Sequence, residues 1–299
     1  MSNTFYLQKR VLVSGGAGFI GSQLVEYLVK QGAMVTVVDD LSTGSMDNIA
    51  HVVKDIVFIH GDITSFQTCL ASTQGQSVLF HLAAIVSVPD SMLQPRLCFN
   101  ANIKGTYNLL EAARINRVER FIFSSSAAVY GEHEGECCEQ DACKPQSPYG
   151  LSKLIGEQLC CHYYELFNVH TLCLRYFNVY SANKYQKQTS AYGRFKAAVV
   201  NNEPITIFGD GSQMRDFTDV QEIVRANSTL AQLPPGFLNG QPVNIASGQS
   251  RSVLSLVEQL KNEFPDSIST LSYQPARAGD IKHSVASVQK YRQLCSSTG

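Results

Sequence analysis

The sequence predicts an α/β protein in which a doubly wound parallel sheet carries a smaller, mostly C-terminal lobe. Three observations point there. Short apolar runs that read as buried strands alternate with helical periodicities over the first half of the chain, as in a parallel sheet covered on both faces. A glycine triplet, Gly15, Gly18 and Gly21, lies between the first such strand and the first helix. From about residue 178 the alternation gives way to short strands, turns and separate helices. At 299 residues the chain is near the upper size that one core organises. We therefore divide it into 1–177 with 217–247 as the sheet domain, and 178–216 with 248–299 as the lobe.

The first strand is Val11-Leu12-Val13-Ser14, followed by Gly15-Gly16-Ala17-Gly18-Phe19-Ile20-Gly21 and a helical pattern through Leu24, Leu28 and Val29 that Gly32 ends. The second strand, Val35 to Val38, runs into Asp39-Asp40. In such a β-α-β unit one glycine makes the tight turn, one lets backbone approach a pyrophosphate, and one lets helix and strand pack closely. The helix N-terminus offers amide donors and partial positive charge to phosphate. Asp39, 18 positions beyond Gly21, is placed to accept from ribose hydroxyls. Leu41-Ser42-Thr43-Gly44 holds no cation for a 2′-phosphate, so the cofactor expected is NAD rather than NADP.

The third strand, Ile56 to Ile59, leads to Gly61-Asp62-Ile63, where Asp62 could meet adenine. The fourth, Ser77 to Phe80, leads to His81-Leu82-Ala83-Ala84, whose small residues allow close approach; His81 reads as structural. A long helix runs from near Pro95 to Arg114 and includes Asn102. The fifth strand, Phe121-Ile122-Phe123, ends at Ser124-Ser125-Ser126. Residues 132–146 are polar and read as a surface loop, close enough to the strand ends to leave a lid open as the alternative. Ser147 then caps a helix that starts at Pro148. On it Tyr149 and Lys153 stand one turn apart on one face. A free phenol titrates near 10 and is a poor base at neutral pH; a nearby ammonium lowers that value. With the Ser126 hydroxyl beside them, the two can take a proton from an alcohol.

Thr171 to Asn178 reads as the next strand, 181–188 as a loop, Ala191 to Asn201 as a helix, Pro204 to Phe208 as a strand, Pro242 to Ala246 as a strand and Val253 to Leu260 as a helix. Arg215 and Arg277 could clamp a diphosphate with forked hydrogen bonds. Gly18, Asp39, Ala83, Ser126 and Asn178 all fall at strand ends, where ligands of such sheets bind, so one site is expected.

The net charge is −1 and no basic run occurs, which gives nucleic-acid or membrane-surface binding no support. The first residues do not read as a signal peptide, and no apolar stretch reaches the ~20 residues that span a bilayer. The nine cysteines lack zinc-site spacing, so no metal is expected. They read as free thiols of a cytoplasmic protein.

These motifs, in this order, resemble the extended short-chain dehydrogenase/reductase superfamily, and within it the nucleotide-sugar epimerases. The stretches that carry the likeness are Gly15 to Gly21, Asp39 to Gly44, His81 to Ala84, Ser124 to Gly131, Tyr149 to Lys153, Arg175 to Asn178, Arg215-Asp216-Phe217 and Arg277 to Asp280. The resemblance implies a Rossmann-like sheet that holds NAD. It also implies oxidation of C4 of a UDP-hexose, with Tyr149 as acid/base, Lys153 on the nicotinamide ribose and Ser126 on the reacting oxygen. To the cofactor contacts it adds Phe19, Ile20, Asp40, Ser42, Thr43, Ile63, Leu82, Ala84, Asn102, Ser124 and Tyr176. Substrate contacts implied are Ser87, Ser126, Tyr149, Asn178, Thr206 and Phe208 at the uracil, Arg215 and Arg277 at the phosphates, and Asp280 and Ser284. Related dehydratases and decarboxylases carry an acid after the catalytic hydroxyl, where this chain has Ala127-Ala128. The position matching Ser284 gates the sugar pocket, and a small residue there leaves room for a 2-acetamido group. The expectation is a UDP-N-acetylglucosamine 4-epimerase with UDP-glucose as a further substrate, and a homodimer through the helices beginning near Pro95 and Ser147; the alternatives are another NAD-dependent nucleotide-sugar enzyme (UDP-glucose 4-epimerase, reductase, dehydratase or decarboxylase) and a catalytically silent NAD-binding regulator.

Overall fold

Seven parallel strands form the platform of the site. The computed structural model describes residues 4–181, 191–276 and 281–296. Strand β1 (Arg10–Ser14) is buried from its second residue on, as a strand covered on both faces must be. Helix α1 (Phe19–Lys30) buries Leu24, Val25 and Leu28 and returns the chain to β2 (Met34–Asp39). Strand β3 (Ile56–His60), helix α2 (Phe66–Thr73) and strand β4 (Val78–His81) continue the alternation. After α3 (Val88–Leu93), one helical run consists of α4 (Pro95–Phe99), a π-helical turn at Asn100–Lys104 and α5 (Gly105–Ile115). Strand β5 (Arg120–Ser126), the short β6 (Glu136–Cys137), α6 (Pro148–Phe167) and β7 (Thr171–Tyr176) follow.

The remaining elements are β8 (Val179–Tyr180), α7 (Ala191–Asn201), β9 (Ile205–Phe208), β10 (Met214–Asp216), β11 (Thr218–Asp219), α8 (Val220–Leu230), β12 (Asn239–Ile245), β13 (Ser250–Ser252), α9 (Val253–Glu263), β14 (Leu271–Gln274), β15 (His283–Ala286) and α10 (Gln289–Ser296). The large sheet has the order β12-β7-β5-β4-β1-β2-β3, parallel throughout. The order turns back between β1 and β4, so their carboxyl ends open a crevice at that point. Apolar side chains fill both faces of the sheet.

The lobe has its own core, built on Phe195, Val199, Ile205, Ile207, Leu256 and Leu260. It carries a four-stranded sheet, β13-β10-β15-β6, and the pair β14-β9. Two readings of the sequence need correction. Residues 132–146 are not a plain surface loop: β6 pairs with β15, and the Asn244 amide donates to Glu139 Oε1 at 2.9 Å. The segment is a strut between lobe and sheet domain. Helix α10, within the 248–299 segment that the sequence places in the lobe, packs on the sheet domain instead; Tyr291 is buried in the core of the large sheet and donates to Glu222 at 2.8 Å.

Candidate active site

The glycine loop is held by packing that forbids side chains. Gly15 has φ +74°, and a Cβ there would lie 2.5 Å from the Ala83 nitrogen on the β4 loop. A Cβ on Gly21 would lie 2.1 Å from the Gly15 carbonyl oxygen. Gly18 is the N-cap of α1 and brings no side chain to the first-turn amides, which include those of Phe19 and Ile20. The result is a bare helix N-terminus facing the crevice, suited to phosphate. Asp39 is buried at the end of β2; it accepts from Ala17 N and Leu41 N, each at 2.9 Å. Burial raises the Asp39 pKa, and these two amide bonds oppose the rise. Gly44 sits over this carboxylate, a Cβ there lying 3.1 Å from Asp39 Oδ1, so the loop fixes where Asp39 points. Asp40 is exposed and takes Ser42 N at 2.9 Å; Asp62 takes Thr64 N at 2.7 Å. Thr43 lies in the turn between Ser42 and Gly44, and buried Ile63 packs beneath Gly105.

On the other side of the crevice, Leu82, Ala83 and Ala84 leave β4 half-buried, and Ser87 caps α3 through a 3.2 Å bond from Asp90 N. Asn102 lies in the π-helical turn and clamps this loop. It accepts from Ile85 N at 2.8 Å and donates to Ile85 O at 2.9 Å and to Ser152 Oγ at 2.9 Å. Both amide N–H bonds are thus used inside the protein, and Ser152 passes its own proton to Tyr149 O at 2.7 Å. His81 is structural: Nδ1 is 2.8 Å from Ser14 Oγ and Nε2 is 2.9 Å from Thr106 Oγ1.

Helix α6 begins as the sequence dictates, with Ser147 Oγ accepting from Gly150 N at 3.0 Å and Pro148 in the first turn. Tyr149 is half-buried with Ser126 at the neighbouring strand end, and Lys153 Nζ donates to Ser124 O at 2.8 Å. Nζ lies 6.0 Å from the centre of the Tyr149 ring. The expectation that Lys153 lowers the phenol pKa is corrected in the protein alone. Burial pushes Tyr149 up, opposed by the Ser126 hydrogen bond. Burial also brings Lys153 down to about 8, so its ammonium is itself disfavoured there. Ser124 Oγ and the Tyr176 hydroxyl are 3.0 Å apart, and Tyr176 is held further by Asn227.

Asn178 leaves β7 exposed, with φ +23°. Thr206 is exposed on β9 and Phe208 half-buried beside it. Arg215 and Ser284 are cross-strand neighbours on β10 and β15. The Lys282 carbonyl between them accepts from Met214 N at 2.9 Å and Arg215 Nη1 at 3.3 Å. Arg277 and Asp280 lie outside the described residues. Sequence reading gives Glu157 no role and names Ser125 and Arg175 only as members of motifs. The available signal was a carboxylate one turn beyond Lys153 on a helix face that is otherwise buried. No group of three potential metal ligands occurs among the described residues, and no helix among them is long and apolar enough to cross a membrane.

Residues 11–246 match the model of the NAD dependent epimerase/dehydratase family. An uncharacterized UDP-glucose epimerase of Bacillus subtilis is 34% identical over 295 residues, covering 95% of this chain and 91% of the relative. The UDP-N-acetylglucosamine 4-epimerase from Methanobrevibacter ruminantium, solved with UDP-N-acetylmuramic acid, superposes with TM-score 0.88 at 32% identity, covering 96% of this chain and 92% of that one. The UDP-glucose 4-epimerase of Thermus thermophilus, solved with NAD, gives 0.86 at 30%, covering 95% and 92%. The chain belongs to the NAD dependent epimerase/dehydratase family, and its cofactor is NAD.

Proposed function

We propose that this enzyme interconverts a UDP-hexose with its C4 epimer, and that UDP-N-acetylglucosamine and UDP-N-acetylgalactosamine are the pair. The observation that carries the reading is the meeting of Ser126, Tyr149 and Lys153 at one strand end, across the crevice from the bare helix N-terminus and Asp39. NAD, when bound, supplies the acceptor and donor of hydride at C4. Tyr149 removes the proton of the 4-hydroxyl and returns it to the same oxygen after the 4-keto sugar has turned, so configuration inverts without net oxidation. Ser126 holds the reacting oxygen, and Lys153 holds the nicotinamide ribose close to the phenol. Asn178, Arg215 and Arg277 take the diphosphate, and Thr206 and Phe208 the uracil.

The sugar assignment rests on Ser284. Beside Arg215, a serine leaves space that a bulky side chain would fill, which suits a 2-acetamido group. The Methanobrevibacter enzyme that this chain resembles is a UDP-N-acetylglucosamine 4-epimerase. Ala127 and Ala128 provide no acid for elimination or decarboxylation. The enzyme works as a homodimer through α4, α5 and α6. Their outer face exposes Leu97, Tyr107 and Phe167, and a groove of about 730 Å³ is lined by Leu97, Ile103 and Tyr107 among others.

Incubating the purified protein with UDP-N-acetylglucosamine and no added NAD, then separating the products, tests the reading. UDP-N-acetylgalactosamine is expected. Conversion of UDP-glucose alone would overturn the sugar assignment. No epimer from either sugar, even with NAD supplied, would overturn the epimerase.

A further inference from the structure

We infer that Glu157 is a positioning residue that sets the register of α6 against the end of β5 and thereby holds Ser126 and Lys153 where the reaction needs them. Its kinetic readout rests on the epimerase reading above. Three consecutive residues of β5 lie against successive turns of α6, two of them through hydrogen bonds. The Ser126 hydroxyl, which accepts from Ala128 N at 3.2 Å, is close enough to Tyr149 to oppose the rise in its pKa; Ser124 O accepts from Lys153 at 2.8 Å, and the Ser125 hydroxyl donates to Glu157 Oε1 at 2.5 Å. Tyr149, Lys153 and Glu157 are spaced by four and so share one helix face. The first two ties involve the reacting groups. The third does not, and it is the only one of the three made by a carboxylate.

Glu157 cannot be read as an ordinary surface acid. It is 6% exposed, and its partner Arg175, on β7, is 3% exposed. Arg175 grips it as a fork, Nε to Oε1 at 2.9 Å and Nη2 to Oε2 at 2.7 Å. The guanidinium is itself held from behind. It donates to Glu139 O at 3.3 Å and Cys143 Sγ at 3.4 Å on the strut, and lies 4.6 Å from the centre of the Tyr130 ring. Oε1 therefore receives two donors and Oε2 one, so both oxygens of the carboxyl group act as acceptors. Glutamine in its place would turn an N–H₂ towards Arg175 or towards Ser125. Fixing Ser125 fixes the peptides on either side of it, and those peptides carry the Ser124 carbonyl and the Ser126 hydroxyl. The strut connects this point to β15 and Ser284 through β6, so the lobe and the catalytic strand end are braced on one ion pair.

Ser125→Ala removes the tie and leaves the ion pair whole; Glu157→Gln disturbs both. In the holoenzyme, Ser125→Ala should keep its NAD and its KM within about two-fold. Its kcat should fall about ten-fold, the effect of one charge-assisted hydrogen bond. Tyrosine labelled at Cζ, with the Tyr149 resonance assigned by its loss in Tyr149→Phe, gives a readout that needs no turnover. The Tyr149 phenol should titrate at higher pH in Ser125→Ala than in wild type, because Ser126 is no longer held against it. Unchanged kcat and unchanged titration in Ser125→Ala would overturn the inference. So would a Glu157→Gln protein that folds poorly yet turns over normally per folded molecule. If wild type epimerises no UDP-hexose, the functional reading fails, and the Tyr149 titration alone decides the role of Glu157.

Discussion

At the scale of single residues, chemistry and packing make separable demands. Tyr149→Phe deletes one oxygen at a half-buried position and leaves the ring in place. It should keep the fold and the bound NAD while cutting turnover by about three orders of magnitude or more, as loss of a general acid/base does; retained activity in a steady-state assay would contradict the proton path. His81 makes the opposite case. The Thr106 hydroxyl donates to Asn102 O at 2.5 Å, so it can only accept from His81 Nε2, and Nδ1 then accepts from Ser14. The ring is held neutral, and burial brings its pKa down to about 3. An unfolded histidine near 6.5 binds a proton that the folded one refuses. This contribution is therefore intact above about 6.5 and is lost as pH falls towards 3, at about 1.4 kcal/mol per pH unit. Urea unfolding at pH 7.5 and 5.5 should show that loss in wild type and a smaller one in His81→Gln.

At the scale of elements, backbone proximity decides what each position tolerates. A methyl on Gly21 would meet the Gly15 carbonyl at 2.1 Å, and backbone on both sides leaves it nowhere to go. Gly21→Ala should push α1 away from β1, so that the purified protein carries little NAD by its absorbance after denaturation, while Gly236→Ala, in open space, should leave NAD content unchanged. The glycine loop, the Ser147 cap and the Tyr149–Lys153 spacing were legible because each is a local rule, written in residues three or four apart. The π-helical turn at Asn100–Lys104 was not legible, since it depends on Asn102 reaching Ile85 and Ser152 across separate segments. The strut was hidden for the same reason. Two residues of β6 carry no periodicity, and their strand character comes from β15, almost 150 positions later. The sequence also names Lys153 as the group that lowers the phenol pKa, but not the burial of Tyr149, which raises it.

At the scale of the whole molecule, helix α6, which carries the proposed catalytic groups, is also part of the outer wall. Helix α6 presents Tyr149 to the crevice at one end, while Leu166 and Phe167 at the other are 70% and 50% exposed. Next to it Leu97 is 53% exposed and Tyr107 48%, so an apolar band crosses adjoining helices rather than occurring as scattered single residues. A second copy meeting this band by two-fold symmetry would bury it against itself, and would brace α6 from the side opposite β5. A carboxylate at Leu97 would be buried unpaired in such an interface, which is strongly unfavourable. Leu97→Asp should therefore shift the protein from dimer to monomer by light scattering at micromolar concentration. Helix α6 then loses its outer support, so the variant should also lose NAD retention or turnover, and both should return with rising protein concentration. A monomeric wild type would remove the dimer from the proposal. A dimer undisturbed by Leu97→Asp would place the contact on another face, with α6 braced by β5 and the Glu157–Arg175 pair alone.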